Sequence, residues 1–352
     1  MTLIAPTEND TLQPLIGQTI EGLKRIAFEE GLKPYAASQI ARWLYVRRAT
    51  SINAMTDLPK TARENLEKKY SVGRYEPSKA LKSTDGTIKY LFEVGDKNVI
   101  ESVYIPDYDR ATLCVSSQIG CRMGCHFCMT GKQGFKGNLT TREIINQVLS
   151  IPESDKLTNI VFMGMGEPLD NMDNMLKVIQ ILTAQWGMAW SPRRITVSTV
   201  GRHDNLKTLL DKTQVHIAIS IHSPFSMERQ SLMPIEKAYP ITDIISTLRQ
   251  YDFSRQRRCS FEYIVWKGIN DDSAHALALA RLLSQIKGVR VNLIRYHHVP
   301  GLEPMLRPAS ENTMEEFRDI LNSKGIIATI RRSRGEDIMA ACGQLAGKLN
   351  NN

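Results

Sequence analysis

Three cysteines, Cys121, Cys125 and Cys128, stand as C-x3-C-x2-C within GCRMGCHFC. Thiolates this close in sequence can hold one soft metal centre, and zinc or an iron-sulfur cluster are the candidates. A structural zinc normally brings a second pair of ligands, another C-x2-C or an H-x3-H, and this chain has none. A tetrahedral zinc completed by His126 or Cys114 is the plainer alternative. Three thiolates on a cubane with one iron left open fit the ligand count better, and an open iron implies a bound ligand and a reaction. Of the six cysteines, Cys114 lies just ahead of the loop, while Cys259 and Cys342 lie far downstream. Ala340, Ala341 and Gly343 leave room around the sulfur of Cys342, although inert burial is the usual fate of an isolated cysteine.

A second pattern is GMGEP after the apolar run NIVFM. Gly164 and Gly166 sit where a backbone passes close to a ligand, and Glu167 can then accept from a cationic amine. A tight strand-to-helix turn is the alternative reading of such a lone Gly-x-Gly. His222 in ISIHSP ends an apolar run, and a satisfied core histidine is the alternative there.

These residues need a frame, and from about Ala111 the chain alternates short β-branched runs with helix-period stretches. The runs are TLCVS (112–116), NIVFM (159–163), RITVS (194–198), VHIAISI (215–221), FEYIVW (261–266), VRVNLIR (289–295) and IIATIR (326–331). Between them lie TTREIINQVLSI and NTMEEFRDILNS, opened by capping boxes at Thr140-x-x-Glu143 and Thr313-x-x-Glu316. This alternation predicts an α/β fold with a parallel sheet, a full or partial barrel of six or seven units, with chemistry at the C-terminal strand ends. Ahead of it, Leu15, Ile16, Ile20, Leu23 and Ile26, then Ile40, Trp43 and Leu44, recur at helical spacing. Asp85-Gly86 between extended segments signals a hairpin whose second arm runs toward NVIESVYIP. The expected domains are a helical accessory region at 1–75, a hairpin linker at 76–110 and a barrel domain at 111–347.

With 352 residues, 42% of them hydrophobic, the chain can bury a substantial core, which excludes disorder and collagen-like repeats. No apolar stretch approaches the roughly 20 residues of a membrane helix, and MTLIAPTENDTLQ lacks the pattern of a signal peptide. A cytoplasmic protein with reduced thiols is expected. The net charge of +8 favours a polyanionic partner. Lys24, Arg25, Lys33, Arg42, Arg47 and Arg48 give the N-terminal region basic faces, a solvated surface or an RNA contact. Arg193, Arg194, Arg255, Arg257, Arg258, Arg331, Arg332 and Arg334 flank the strands and are read as a phosphate-binding track toward the site.

C-x3-C-x-Phe-C, with Phe127 in the aromatic slot, resembles the radical S-adenosylmethionine (SAM) signature. GMGEPLDN (164–171), SPRRITVSTVG (191–201), ISIHSP (219–224) and GEDIMAACGQLAG (335–347) are similar to RNA methyltransferases that modify an adenine carbon. The likeness covers nearly the whole chain and runs nearest to the dual-specificity adenine carbon-2 enzymes. It implies a partial (β/α)6 radical SAM barrel in which Cys121, Cys125 and Cys128 hold a [4Fe-4S] cluster whose fourth iron chelates SAM. By the same resemblance Gly166 and Glu167 hold the aminoacyl part of SAM, Ser198 contacts it, and Ser220, Ile221 and His222 line its site. The next family contact is an Asn in a stretch resembling NLIRYHHVPG, where this chain has His297.

Carbon 2 of adenine is electron-poor, so direct attack on the SAM methyl has the wrong polarity. The resemblance implies instead that Cys342 is first methylated and that a second SAM, split through the cluster, abstracts hydrogen from that methyl. The carbon radical adds to adenine, and release follows as Cys114 and Cys342 close a transient disulfide. Glu101, in VIESVYIP, matches the position proposed as proton acceptor. Cys259 matches no functional position and is assigned to packing. The implied substrates are an adenosine of 23S rRNA at the peptidyl-transferase centre and the adenosine 3′ to the anticodon of tRNA. The implied partners are a cluster reductant such as flavodoxin or ferredoxin and a thiol reductant. The sister carbon-8 enzymes use the same cysteines, and a non-catalytic, zinc-stabilised RNA-binding protein is a third reading.

Overall fold

The computed structural model describes residues 12–95, 97–255, 257–298, 302 and 305–346. The first eleven residues, Val299 to Gly301 and Gly347, all within stretches quoted above, lie outside the described residues. The chain begins with β1 (Gln13–Pro14), α1 (Ile20–Glu29), α2 (Ala36–Ala41), α3 (Lys60–Glu67) and β2 (Tyr70–Ser71). Four strands follow, β3 (Lys79–Lys82), β4 (Ile88–Val94), β5 (Asn98–Asp107) and β6 (Arg110–Cys114). After them come β7 (Gln118–Gly120), α4 (Met129–Lys132), β8 (Phe135–Asn138) and α5 (Thr141–Leu149). Strands and helices then alternate through β9 (Asn159–Phe162), α6 (Met172–Thr183), β10 (Ile195–Thr199), α7 (His203–Lys212) and β11 (His216–Ser220). The alternation ends with α8 (Ser226–Leu232), α9 (Ile241–Leu248), β12 (Cys259–Val265), α10 (Ser273–Leu283), β13 (Val289–Arg295), α11 (Glu311–Ser323) and β14 (Ile327–Ile330).

Two compact units result. The first joins the chain up to Pro77 with Leu139–Ser154 and Asp173–Ser191, so α5 and α6 belong with the N-terminal helices. Side chains explain the grouping: Arg74 donates to the carbonyls of Arg48 at 2.7 Å and Leu149 at 2.6 Å. Asn146 brackets the backbone of Tyr75 with bonds of 3.0 and 2.8 Å. Helix α1 buries Ile20, Leu23, Ile26 and Ala27 on one face. Leu15 and Ile16, read as helical from their spacing, instead continue β1, and their N–H groups bond the carbonyls of Ser71 and Val72. Gly17 at φ +85 turns the chain before α1 because a side chain there would run into the Arg142 backbone.

The second unit carries a ten-stranded open sheet in the order β14-β13-β12-β11-β10-β9-β6-β5-β4-β3. The seven strands from β6 through β14 are parallel, linked by six crossovers, which is the partial (β/α)6 barrel of an α/β fold. The expected hairpin does not stand apart as a linker, because β3, β4 and β5 pair antiparallel and continue the same sheet from β6. Its turn forms as read, with Gly86 at φ +87 and the Asp85 carboxylate accepting from Thr87 N–H at 2.9 Å. The capping box at Thr140 and Glu143 is present. The one at Thr313 is not: α11 starts earlier, capped by Ser310, whose hydroxyl accepts from Thr313 N–H at 3.1 Å.

Candidate active site

The cysteine loop leaves β7 and returns through β8. Gly120 sits at that closure with φ +71, and a side chain there would collide with the Gly134 carbonyl. Cys121 N–H donates to the same carbonyl at 3.0 Å. Cys121, Cys125 and Cys128 pack in one apolar cluster with Met123, Phe127, Met233 and Trp266. The Phe127 ring meets His222 edge-on at 4.8 Å and Trp266 at 5.1 Å between centroids.

Burial pushes the Cys121 thiol up to about 12. Burial, then the neighbouring Cys128 and Cys121, raises Cys125 well above the ordinary thiol value. The three groups therefore feel one another, although no three His, Cys, Asp or Glu side chains among the described residues converge on a single metal ion. The donor set fits an iron-sulfur cluster: three thiols share an apolar wall, and the burial that raises Cys121 and Cys125 disfavours their thiolates unless a cationic centre draws off the protons. Trp266 adds a buried indole N–H with no acceptor among the described residues, an open donor in the same wall.

Glu167 follows β9, and its environment differs from the simple picture of a carboxylate awaiting an amine. Its oxygens accept from Leu169 N–H and Val200 N–H, both at 3.0 Å, and from the Thr199 hydroxyl. Burial nevertheless pushes its pKa up to about 7. Three of roughly four acceptor sites on the carboxylate are thus used, leaving about one for a ligand. The glycines before it serve the chain's own turn. A Cβ on Gly166, at φ +100, would lie 2.5 Å from Gln118 Cβ, and one on Gly164 would lie 2.8 Å from the Val115 carbonyl carbon. The close approach is to the backbone beyond β6, and that contact is what sets Glu167 in place.

Ser198 lies in β10 and Ser220 ends β11, both half-buried, with Ile221 fully buried after them. His222 adopts the left-handed region at φ +56, strained for a side chain this size. Its Nδ1 accepts from Ile264 N–H at 3.1 Å and its carbonyl accepts from Asn270 at 2.7 Å. Burial, helped by Arg229, pushes its pKa down to about 3, so the ring is neutral and carries its proton on Nε2. His297, beyond the end of β13, bonds Ser333 at 2.6 Å and lies 3.4 Å from Glu336; burial holds its pKa below the ordinary value.

Arg229 is a buried charge that sequence reading missed. It is fully buried, paired with the Glu236 carboxylate, and donates to the carbonyls of Val200 and Ser220, both at 3.1 Å. It therefore ties the C-terminal ends of β10 and β11 together, and its charge acts against the burial of Cys125.

Sheet register gathers the remaining chemistry. Lys89, Val103 and Cys114 are direct partners across β4, β5 and β6, so they share a face with Glu101, two residues along β5. Lys89 Nζ lies 3.4 Å from Glu101 Oε2, and Lys89 was not singled out in the sequence. Burial pushes the Cys114 thiol up to about 12, and the nearby charge of Cys342 adds to the rise. Cys342 is solvent-exposed, and the protein around it raises its thiol, with Arg331 opposing. Its segment docks on the cysteine loop, since Met129 N–H donates to Gly343 O and the Thr130 hydroxyl to Leu345 O, both at 2.8 Å.

The expected arginine track divides. Arg193, Arg194, Arg255, Arg257 and Arg258 precede β10 and β12, whereas Arg331, Arg332 and Arg334 follow β14. These strands run parallel, so the two groups lie at opposite rims and only the second shares the catalytic end. Arg257 is buried besides, donating to the Leu210 carbonyl at 2.8 Å. Cys259 is fully buried in β12, and burial raises its thiol.

Residues 115–280 match the radical SAM superfamily, and residues 13–72 match the ribosomal RNA large subunit methyltransferase N-terminal domain. A probable dual-specificity RNA methyltransferase, RlmN of Parabacteroides distasonis, is 56% identical over 96% of this chain and 97% of that protein. The dual-specificity RNA methyltransferase RlmN of Geobacter sulfurreducens is 41% identical over 97% of this chain and 94% of that protein. The crystal structure of a radical SAM methyltransferase from Sphaerobacter thermophilus superposes with a TM-score of 0.88 at 40% identity, covering 96% and 100% of the two chains. The barrel and its cysteine loop are those of a radical SAM enzyme, a class that works with a [4Fe-4S] cluster and SAM. Within that class, the chain belongs to the dual-specificity RNA methyltransferase family.

Proposed function

We propose that the protein methylates carbon 2 of adenosine in 23S rRNA and tRNA, through a methylated Cys342. This reading is supported by the sheet face that Glu101 shares with Cys114, by the influence of Cys342 on the Cys114 thiol, and by the docking of the Cys342 segment on the three-cysteine loop through Gly343. The loop cysteines would hold the cluster, with Gly166, Glu167, Ser198, Ser220, Ile221, His222 and His297 about SAM. When bound and reduced, this pair supplies one-electron cleavage of the sulfonium, a reaction no side chain performs.

The chain's own residues supply the rest. Cys342, exposed to solvent, is the thiol that can receive a methyl group by displacement. Glu101 accepts the proton lost from adenine carbon 2. Cys114 attacks the Cys342 sulfur, so the S–S bond forms as the C–S bond breaks. That electron pair stays with the methylene carbon, which takes up a proton, balanced by the one the Cys114 thiol gives up, to become the new methyl, and the unpaired electron left by radical addition would return to the oxidised cluster. A cellular thiol reductant then restores both cysteines, and flavodoxin or ferredoxin serves the cluster. RNA must present an unstacked adenine to reach this recessed set, and Arg331, Arg332 and Arg334 are the cations at the matching rim. No helix among the described residues is long and apolar enough to cross a membrane.

The test is nucleoside mass spectrometry on RNA digested from cells with and without the gene. Loss of 2-methyladenosine on deletion is expected; loss of 8-methyladenosine alone would overturn the regiochemistry.

A further inference from the structure

Lys89 is a cation sealed into the catalytic wall. Its side chain keeps 6% of its surface and that of Glu101 keeps 2%. Besides lying 3.4 Å from Glu101, Nζ donates to the Met339 carbonyl at 3.2 Å. A buried ammonium is tolerated only with such partners. Here they come from two working parts, the base and the segment that ends in Cys342.

That segment is held by the β3–β4 turn as well. The Ser83 hydroxyl and Thr84 N–H donate to Asp337 at 2.6 and 3.1 Å, and Gly335 N–H donates to Asp85 at 3.0 Å. Of the ties that β4 and its turn give the segment ahead of the cysteine, the one from Lys89 lies nearest to Cys342 in sequence. Met339 itself stands at φ +54, a conformation that a bulky residue keeps only when its surroundings impose it.

We propose that Lys89 is a positioning residue for proton removal, holding Glu101 ionised and aimed while fixing, through the Met339 carbonyl, the reach of Cys342 toward the same carboxylate. This rests on the reading of Glu101 as proton acceptor. In that step the proton on adenine carbon 2 passes to a Glu101 oxygen, the C–H electron pair stays with the ring, and Glu101 becomes neutral. Once Glu101 is neutral, the Met339 carbonyl remains as the acceptor for Lys89, so the segment stays tethered while the C–S bond breaks. The groups on the face of Glu101 are Lys89 from β4 and Cys114 from β6, with Cys342 beside the latter.

The experiment compares anaerobic holoenzyme carrying K89M, K89Q, K89R or E101Q, using labelled RNA and quenched time points. K89M and K89Q should slow release of RNA from the protein by about tenfold or more, while Cys342 still gains its methyl by intact-protein mass. The pH midpoint of release should rise by about one unit or more without the neighbouring cation, and K89R should restore both rate and midpoint. Wild-type release at an unshifted midpoint in both neutral variants, with E101Q accumulating tethered RNA, would overturn the role of Lys89 alone. Wild-type release by E101Q would overturn the reading of Glu101 itself. An infrared titration of the Glu101 carboxyl in resting enzyme, assigned through E101Q, gives a readout without turnover: its midpoint should rise in K89M, and an unchanged midpoint would overturn the proposal.

Discussion

Replacing Arg229 with Met removes a cation from the interior and leaves the Glu236 carboxylate, 2% exposed in its side chain, without its counter-charge. Breaking a buried pair in this way costs about 3–5 kcal/mol. The low end applies, because Glu236 keeps the Ser226 hydroxyl at 2.7 Å and Ile241 N–H at 3.1 Å. At about 2–4 °C per kcal/mol for a unit of this size, R229M should lower Tm by roughly 6–12 °C. R229M/E236L removes both charges together, which in buried pairs is near neutral or stabilising. The carbonyls of Val200 and Ser220 still lose their donors, at about 1 kcal/mol each. The double variant should therefore recover about 1 kcal/mol of the roughly 3 lost. Anaerobic calorimetry of the three proteins decides the matter. A single variant within about 1 kcal/mol of wild type, or a double variant no better than the single, would refute the view that Arg229 is a compensated buried charge joining β10 to β11.

C114A should leave RNA covalently bound through Cys342, seen as labelled RNA migrating with denatured protein; free, fully methylated RNA would remove Cys114 from the reaction. G166A forces a Cβ to within 2.5 Å of Gln118 Cβ at φ +100, costing about 1–3 kcal/mol in backbone strain alone, and should weaken SAM binding by equilibrium dialysis as Glu167 shifts. Burial opposes charging of His275, yet bonds to Asp272 and Glu228 prevail and raise its pKa. The stabilisation is therefore complete below the ordinary imidazole value near 6.5 and fades as pH rises through the raised one. The Tm difference between wild type and H275Q should shrink from mildly acid to alkaline pH, and a constant difference would contradict the charged triad.

The barrel strands were legible because their β-branched runs keep to short, buried, parallel stretches, and the structure shifts their limits by only a residue or two. The cysteine loop was legible because its three ligands are local in sequence. What escaped depends on long-range contact. Lys89 and Arg229 look like ordinary surface cations until the fold buries them beside Glu101 and Glu236. The arginine track failed for a related reason: sequence shows that a residue flanks a strand, but only the common strand direction separates one rim from the other. The turn at Gly166 shows the reverse case, in which a glycine pair read as a ligand cradle is required by the chain's own backbone at Val115 to Gln118. Ser310 displaced Thr313 as a cap because a serine one turn earlier offers the same hydroxyl bond to the backbone.

The central claim is that Cys121, Cys125 and Cys128 hold a cluster with one iron free for SAM, and 5′-deoxyadenosine formation tests it most directly. Reconstituted enzyme given reductant, SAM and RNA should release 5′-deoxyadenosine, measured by liquid chromatography and mass spectrometry, and C125A should release none. Wild-type protein with a full iron complement that forms none, or C125A that forms as much as wild type, would contradict the account.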